Sequence, residues 1–381
     1  MATNITPYSI NTPDSELQDL KQRLALTRWP EKECVDDWTQ GAPLSAVKAL
    51  CDYWQNTYDW RRCERHLNQY PQFTTEIDGL DIHFFHIRST HENAKPLIMT
   101  HGWPGSVIEF MDVVEPLTQP EKFGGDPADA FHLVLPSLPG FGFSGKPAVT
   151  GWGIEKTAAA WNTLMERLGY NAYLAQGGDW GSAVTTQIGT QNPPGCKGIH
   201  VNLVLIQPEI GPDDELTPEE QSALQALQFY ADWDSGYSKE QSTRPQTIGY
   251  SLVDSPVGLA AWIYEKFYFW TDNEGSPESV ASLDHILDNI MIYWLNHAGA
   301  SAARIYWESF NTLKLDEIPV PTGISVFPKE IFRASQRWAE KHYKNIVYWN
   351  ETPKGGHFAA FEQPEIFVNE LRDCFRKMSL K

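Results

Sequence analysis

The sequence lacks most of the signals that tie a protein to a special environment. Its five cysteines, Cys34, Cys51, Cys63, Cys196 and Cys374, are odd in number and show no Cys-x-x-Cys spacing, so neither a disulfide framework nor a cysteine zinc site is indicated. No stretch approaches the roughly 18 apolar residues of a membrane helix. The most apolar candidate, 258–270, is short and interrupted by Glu265-Lys266. Residues 1–10 hold polar side chains and a proline but no apolar core or basic leader, so no secretory signal is recognisable. Basic charge is scarce as well: 30 Lys and Arg stand against 49 Asp and Glu, a formal net charge of −19 over 381 residues. That balance argues against nucleic acid or an anionic membrane surface as partner. Internal repeats and low-complexity tracts are absent. The expected setting is a reducing, cytoplasmic one, and the expected partner a small neutral molecule. Oligomeric state leaves no mark in the sequence.

Metal ligands are also missing. His83-Phe84-Phe85-His86 is the nearest approach to a pair, yet residues i and i+3 of a strand point to opposite faces. No metal and no cofactor is therefore expected.

What the sequence does contain is Gly177-Gly178-Asp179-Trp180-Gly181. A Gly-x-nucleophile-x-Gly string is meaningful between a strand and a helix, where small residues permit the strained turn that exposes the nucleophile. Here Tyr173-Leu174-Ala175-Gln176 reads as a buried strand and 182–191 as a helix that stops at Asn192-Pro193-Pro194. The nucleophile position carries Asp179 rather than serine. A carboxylate needs no base before it attacks, which suits displacement at a saturated carbon bearing a leaving oxygen or halide. It leaves an ester, and an ester needs a base-activated water and oxyanion-hole donors to be cleared.

The base is expected at His357, in Gly355-Gly356-His357-Phe358, after the strand-like 345–349 and before a final helix from about Pro364. The carboxylate that orients it is expected at Glu330, because the strand-like 322–327 runs directly into Pro328-Lys329-Glu330. Nucleophile, acid and histidine then follow in the chain order of such triads. Upstream, the apolar 96–100 breaks into His101-Gly102-Trp103-Pro104-Gly105-Ser106, where an oxyanion donor is supplied in folds of this kind. The expected donors are the backbone N–H groups of Trp103 and Trp180. His101 is read as a structural loop histidine.

Along the chain, an N-terminal helix begins at Asp14, with Leu17, Leu20 and Leu24 at helical spacing, and Trp29-Pro30 closes it. A second helical stretch is expected over 45–68, its Tyr53, Trp54, Tyr58 and Trp60 forming a docking surface. An Asp78-Gly79 turn joins two strands in a hairpin. From there strands and helices alternate, with 131–135 as a further strand, which implies a mainly parallel sheet covered on both faces. Between about 207 and 310 the strand pattern gives way to helical segments dense in Trp and Tyr. An inserted lid over the carboxyl ends of the strands explains this, excluding water and lining an apolar pocket. The expected organisation is a meander and first hairpin over 1–90, a core over 91–206, a lid over 207–310 and the rest of the core over 311–381.

Taken together, these residues resemble the microsomal-type epoxide hydrolases, including the juvenile-hormone epoxide hydrolases, within the α/β-hydrolase fold. The resemblance runs through nearly the whole chain. It includes 53–60, 68–71, 79–84, 101–106, 177–182, 254–261, 327–330 and 355–362. It implies an α/β-hydrolase core with a helical lid and N-terminal meander, Asp179 as nucleophile, His357 as base and Glu330 as its acid. The family also uses two lid tyrosines to donate hydrogen bonds to the epoxide oxygen. Ser235-Gly236-Tyr237, with Arg244-Pro245 downstream, resembles the first and Arg304-Ile305-Tyr306 the second. The implied substrate is a small hydrophobic epoxide, with water as co-substrate and a vicinal diol as product. Unlike the membrane-bound members, this sequence starts at the meander without a hydrophobic anchor. The nearest alternative is a haloalkane dehalogenase, but such enzymes tend to place asparagine after the His-Gly pair, where this chain has Trp103. A non-catalytic binding protein would be marked by a broken triad, and all three members are present.

Overall fold

The computed structural model describes residues 4–211, 213–310 and 316–378. In chain order the elements are β1 (Ile5–Tyr8), α1 (Asp14–Ala25), α2 (Leu44–Asn56), α3 (Trp60–Leu67), β2 (Gln72–Ile77), β3 (Leu80–Ile87), β4 (Lys95–Thr100), α4 (Met111–Thr118), β5 (Phe131–Pro136), α5 (Ile154–Arg167), β6 (Tyr173–Gly177), α6 (Trp180–Gln191) and β7 (Cys196–Val201). Next come six helices: α7 (Pro218–Phe229), α8 (Gly236–Thr243), α9 (Pro245–Asp254), α10 (Pro256–Trp270), α11 (Leu283–Leu295) and α12 (Gly299–Ser309). The chain closes with β8 (Thr322–Val326), α13 (Gln336–Ala339), β9 (Ile346–Glu351), α14 (Ala359–Glu362) and α15 (Pro364–Arg376).

Among the described residues, nine strands form one sheet in the order β1-β2-β3-β5-β4-β6-β7-β8-β9. The first pairings, β1·β2, β2·β3 and β3·β5, are antiparallel, and every later one is parallel. The β2–β3 hairpin closes through Asp78 and Gly79, both at positive φ, which matches the twist of the flanking strands. The inner strands are largely buried; β5 is buried at all six positions, as expected for a sheet covered on both faces. The mainly parallel sheet is the one expected from the alternation of strands and helices, and the architecture is the α/β-hydrolase fold that the resemblance implies.

Sheet order also sets where a site can form. Strand β4 lies between β5 and β6, so the loops leaving β4 and β6 emerge side by side, with Thr100 paired to Gly177. A ligand crevice opens at such a reversal, beyond the carboxyl ends of the strands. Between β7 and β8 the described residues form helices and no strand, and α12 packs on α8 and α9. The N-terminal helices are pinned to α11: the Tyr58 hydroxyl donates to Asp288 at 2.6 Å, the Tyr53 hydroxyl to Asp284 at 3.0 Å, and Arg62 pairs with Asp288.

Some elements differ from expectation. The stretch 45–68 is two helices, because Asp59 caps a new one by accepting the Arg61 N–H at 2.9 Å. The helix after the elbow begins at Trp180, two residues early. Strand β1 was not anticipated; it is a four-residue edge strand carrying Pro7, too short and polar to show a period. Among the described residues no helix is long and apolar enough to cross a membrane.

Candidate active site

Asp179 occupies the turn between β6 and α6 with φ 49° and ψ −129°, a region that side chains rarely adopt. Two glycines make this possible. A Cβ on Gly181 would stand 1.8 Å from the Thr100 carbonyl oxygen, and one on Gly177 would stand 2.0 Å from the Gly181 carbonyl oxygen. The backbone therefore folds flat against β4, and the Asp179 side chain projects instead of capping its own helix. Its Oδ1 accepts the Trp103 N–H at 2.7 Å. The Trp180 N–H is the first of the helix amides that have no acceptor within α6, so the positive end of a 12-residue helix faces the carboxylate.

The histidine comes from the loop after β9. A parallel bridge between Lys329 and Gly356 sets the two loops side by side, and His357 Nδ1 lies 2.6 Å from Glu330 Oε1. Glu330 Oε1 also accepts the Ile331 N–H at 2.7 Å, which fixes the carboxylate. On the other edge of the ring, Nε2 lies 3.2 Å from Asp179 Oδ2 without an aligned hydrogen bond. Burial alone would lower the histidine's proton affinity, but Glu330 and Asp179 together outweigh it and hold the pKa well above the usual value. The ring is steadied further by its backbone N–H, which donates to the Trp270 carbonyl at 2.8 Å.

Above Asp179 sit two phenols from the lid. Tyr237 at the start of α8 and Tyr306 in α12 are buried, with ring centroids 5.7 Å apart. Tyr237 stacks on Trp103 at 4.8 Å, and Trp180 meets Tyr306 edge-on at 4.8 Å. Burial and then the neighbouring phenols and Asp179 push the Tyr237 pKa well above 10, and Tyr306 is raised likewise by burial and Asp179, so both hold their protons. Asp179, Trp180, Tyr237 and Tyr306 share a cavity of about 40 Å³ with Leu205 and Phe332. Three other lid tyrosines are committed elsewhere: Tyr293 donates to the Gly105 carbonyl at 2.7 Å, Tyr264 bonds Glu278, and Tyr268 stacks on Trp38 at 4.0 Å.

All seven residues singled out in the sequence thus meet at one place. His101 lies beneath it, its Nδ1 donating to the Gly102 carbonyl at 3.0 Å and its Nε2 accepting the Leu138 N–H at 3.2 Å. Burial drops its pKa to about 4, so it stays neutral. Sequence reasoning missed three features. Glu362 accepts the N–H groups of Asp272, Gly356 and Phe358 at 2.7, 3.1 and 3.0 Å, clamping the loop that carries His357. The buried pair Lys266–Asp234, at 2.7 Å, lies behind Tyr237, with the ammonium 4.6 Å from the ring centroid. Tyr230 places its hydroxyl 3.1 Å from that of Tyr237. Only the Glu362 motif carried any sequence signal.

The arrangement brings a held carboxylate, a buried histidine–carboxylate pair and two buried phenols around one small cavity. Comparison with known proteins places it in context. Residues 5–110 match the family described as epoxide hydrolase N terminus, and residues 95–248 match the alpha/beta hydrolase fold. A protein of Stigmatella aurantiaca, named provisionally as an epoxide hydrolase, is 56% identical over 99% of this chain and 86% of its own length. The epoxide hydrolase of Aspergillus niger superposes with a TM-score of 0.89 at 34% identity, over 99% of this chain and 97% of that one. The juvenile hormone epoxide hydrolase of the silkworm Bombyx mori does so with 0.91 at 31%, over 99% and 95%. With full-length relatives at these identities and this fold, the chain belongs to the epoxide hydrolases of the α/β-hydrolase fold.

Proposed function

We propose that this enzyme converts a small hydrophobic epoxide to a vicinal diol through a covalent ester on Asp179. The observation that carries this reading is the division of labour between the two Asp179 oxygens. Oδ1 is held by the Trp103 N–H at 2.7 Å, while Oδ2 is left outside that bond, 3.2 Å from His357 Nε2, and Asp179 lines the cavity it shares with Tyr237 and Tyr306. Oδ2 attacks an epoxide carbon, a carbon–oxygen bond of the ring breaks, and the departing oxygen takes a proton supplied by the phenols. Oδ1 becomes the ester carbonyl oxygen, already in contact with the donor that stabilises it as an oxyanion.

Ester formation also prepares the second step. It removes the negative charge of Asp179, one of the two charges that raise the proton affinity of His357. The imidazolium then gives up its proton, which restores the phenol, and takes the neutral form that a general base needs. Water, deprotonated at Nε2 with Glu330 supporting the imidazolium, attacks the ester carbon. The imidazolium returns this proton to the former Oδ2 as the diol leaves, and the carboxylate regains an oxygen from water. The proton left on the new carboxyl group passes to His357 and restores the resting state.

The test is intact-protein mass of His357→Gln after exposure to styrene oxide. A gain of one epoxide mass is expected, absent from Asp179→Ala/His357→Gln. If several epoxides leave no adduct while haloalkanes do, the reading fails in favour of dehalogenation.

A further inference from the structure

We propose that Tyr230 is a positioning residue for this reaction, a third phenol whose O–H donates to Tyr237 and so commits the Tyr237 proton to the epoxide oxygen. The inference rests on the role given above to Tyr237. Its basis is the geometry of the turn that leads into α8. Residues seven apart in a straight α-helix lie about 10 Å apart along the axis. Here a π-helical turn, Tyr230–Asp234, is followed by a new helix from Gly236, and the two hydroxyls meet at 3.1 Å. Such π turns concentrate at functional sites. Tyr230 is buried, lines the same cavity as Asp179 and is backed by Phe332, with ring centroids 4.7 Å apart.

Each phenol has one hydrogen and two lone pairs. At rest the hydrogen between the two oxygens can belong to either tyrosine. If Tyr237 gives its hydrogen to Tyr230, nothing remains for the substrate. If Tyr230 donates, the Tyr237 hydrogen is free to turn into the cavity, where Tyr306 supplies a second phenol. The substrate oxygen selects the second arrangement.

The consequence is kinetic as well as orientational. As the ring opens, the proton shifts from Tyr237 towards the new alkoxide and the Tyr237 oxygen gains negative charge. The bond it accepts from Tyr230 strengthens at that moment. An interaction stronger in the transition state than in the ground state accelerates the step without tightening substrate binding. Ester hydrolysis, which depends on His357 and Glu330, does not involve this bond.

The experiment compares Tyr230→Phe, Tyr237→Phe and the double variant by single-turnover kinetics with styrene oxide, reading ester formation, its dependence on epoxide concentration and ester hydrolysis separately. Tyr230→Phe is expected to slow ester formation at saturating epoxide by roughly tenfold, with unchanged epoxide affinity and unchanged hydrolysis. With Tyr237 already replaced, Tyr306 sustains a measurable rate and the Tyr230 change has no further effect. If Tyr237→Phe slows ester formation but Tyr230→Phe does not, the inference is overturned and the proposed function stands. An equal loss from Tyr230→Phe in both backgrounds also overturns it, because a structural role does not depend on the Tyr237 hydroxyl. If Tyr237→Phe itself forms the ester at the parent rate, the role of Tyr237 in the proposed function fails.

Discussion

Glu362 shows how a residue can govern a site it does not enter. Its two carboxylate oxygens take three backbone N–H groups, one of them 90 positions away at Asp272. Those donors belong to the loop that carries His357 and to the segment following α10. Replacing it by glutamine keeps the volume but turns one acceptor oxygen into an NH₂ group facing an N–H. The 356–358 loop must then shift, and the 2.6 Å contact between His357 and Glu330 loosens. Glu362→Gln is expected to slow ester hydrolysis by roughly tenfold while ester formation on Asp179 persists, so the ester should accumulate in rapid-quench mass spectra. Hydrolysis at the parent rate would refute the clamp. Asp179 and His357 were legible because their positions follow from strand, turn and chain order. The work of Glu362 was not, since its partners are backbone amides and leave no residue type to read.

Helix ends give the clearest cases at the scale of elements. Thr217 and Glu220 form a reciprocal capping box at the start of α7, and Pro218 fills the first helical position. The buried Glu220 also takes a two-pronged ion pair from Arg337 in α13, tying the lid to the core. Arg337 first, and then the hydrogen bond from the Thr217 N–H, lower the Glu220 pKa to about 2. The folded state therefore favours the ionised form, and this contributes stability that is fully present above the unfolded carboxyl value of 4.5. It is lost as pH falls through that value towards about 2. Arg337→Met should be less stable than the parent at pH 6, and the difference should narrow as pH drops below 4.5. Denaturant midpoints of the two proteins between pH 6 and pH 3 check this; a constant gap would show that the pair is electrostatically silent. The helix starting at Pro218 is written in local residue types. The break at Asp59 within 45–68 was missed because one capping aspartate is a weaker signal than a continuous run of helix formers and aromatics.

The molecule as a whole was readable in its topology and unreadable in its pocket. Alternation of strands and helices, together with an elbow, predicts the sheet and the ends from which the site emerges. The cavity, by contrast, is bounded by Leu205 after β7, Tyr230 before α8, Phe310 after α12 and Phe332 after β8, which meet only once the lid has folded over the sheet. Its volume of about 40 Å³ holds only a few waters, so the size of the closed space depends on each of these side chains. Phe332 is the one most open to change: it is half-buried, makes no hydrogen bond through its side chain and lies 4.7 Å from Tyr230 by ring centroids. Replacing it by alanine removes a ring from the wall without touching Asp179, His357 or Glu330. The expected outcome is a shift in selectivity, with kcat/KM for a bulky aryl epoxide rising by several-fold relative to that for propylene oxide, since pocket-size discrimination of this kind is worth about 1–3 kcal/mol. Competition between the two epoxides, followed by product ratio, reads the shift directly. If Phe332→Ala lowers activity on both substrates in proportion, the wall that limits substrate size lies elsewhere and the phenylalanine serves to hold Tyr230 in place.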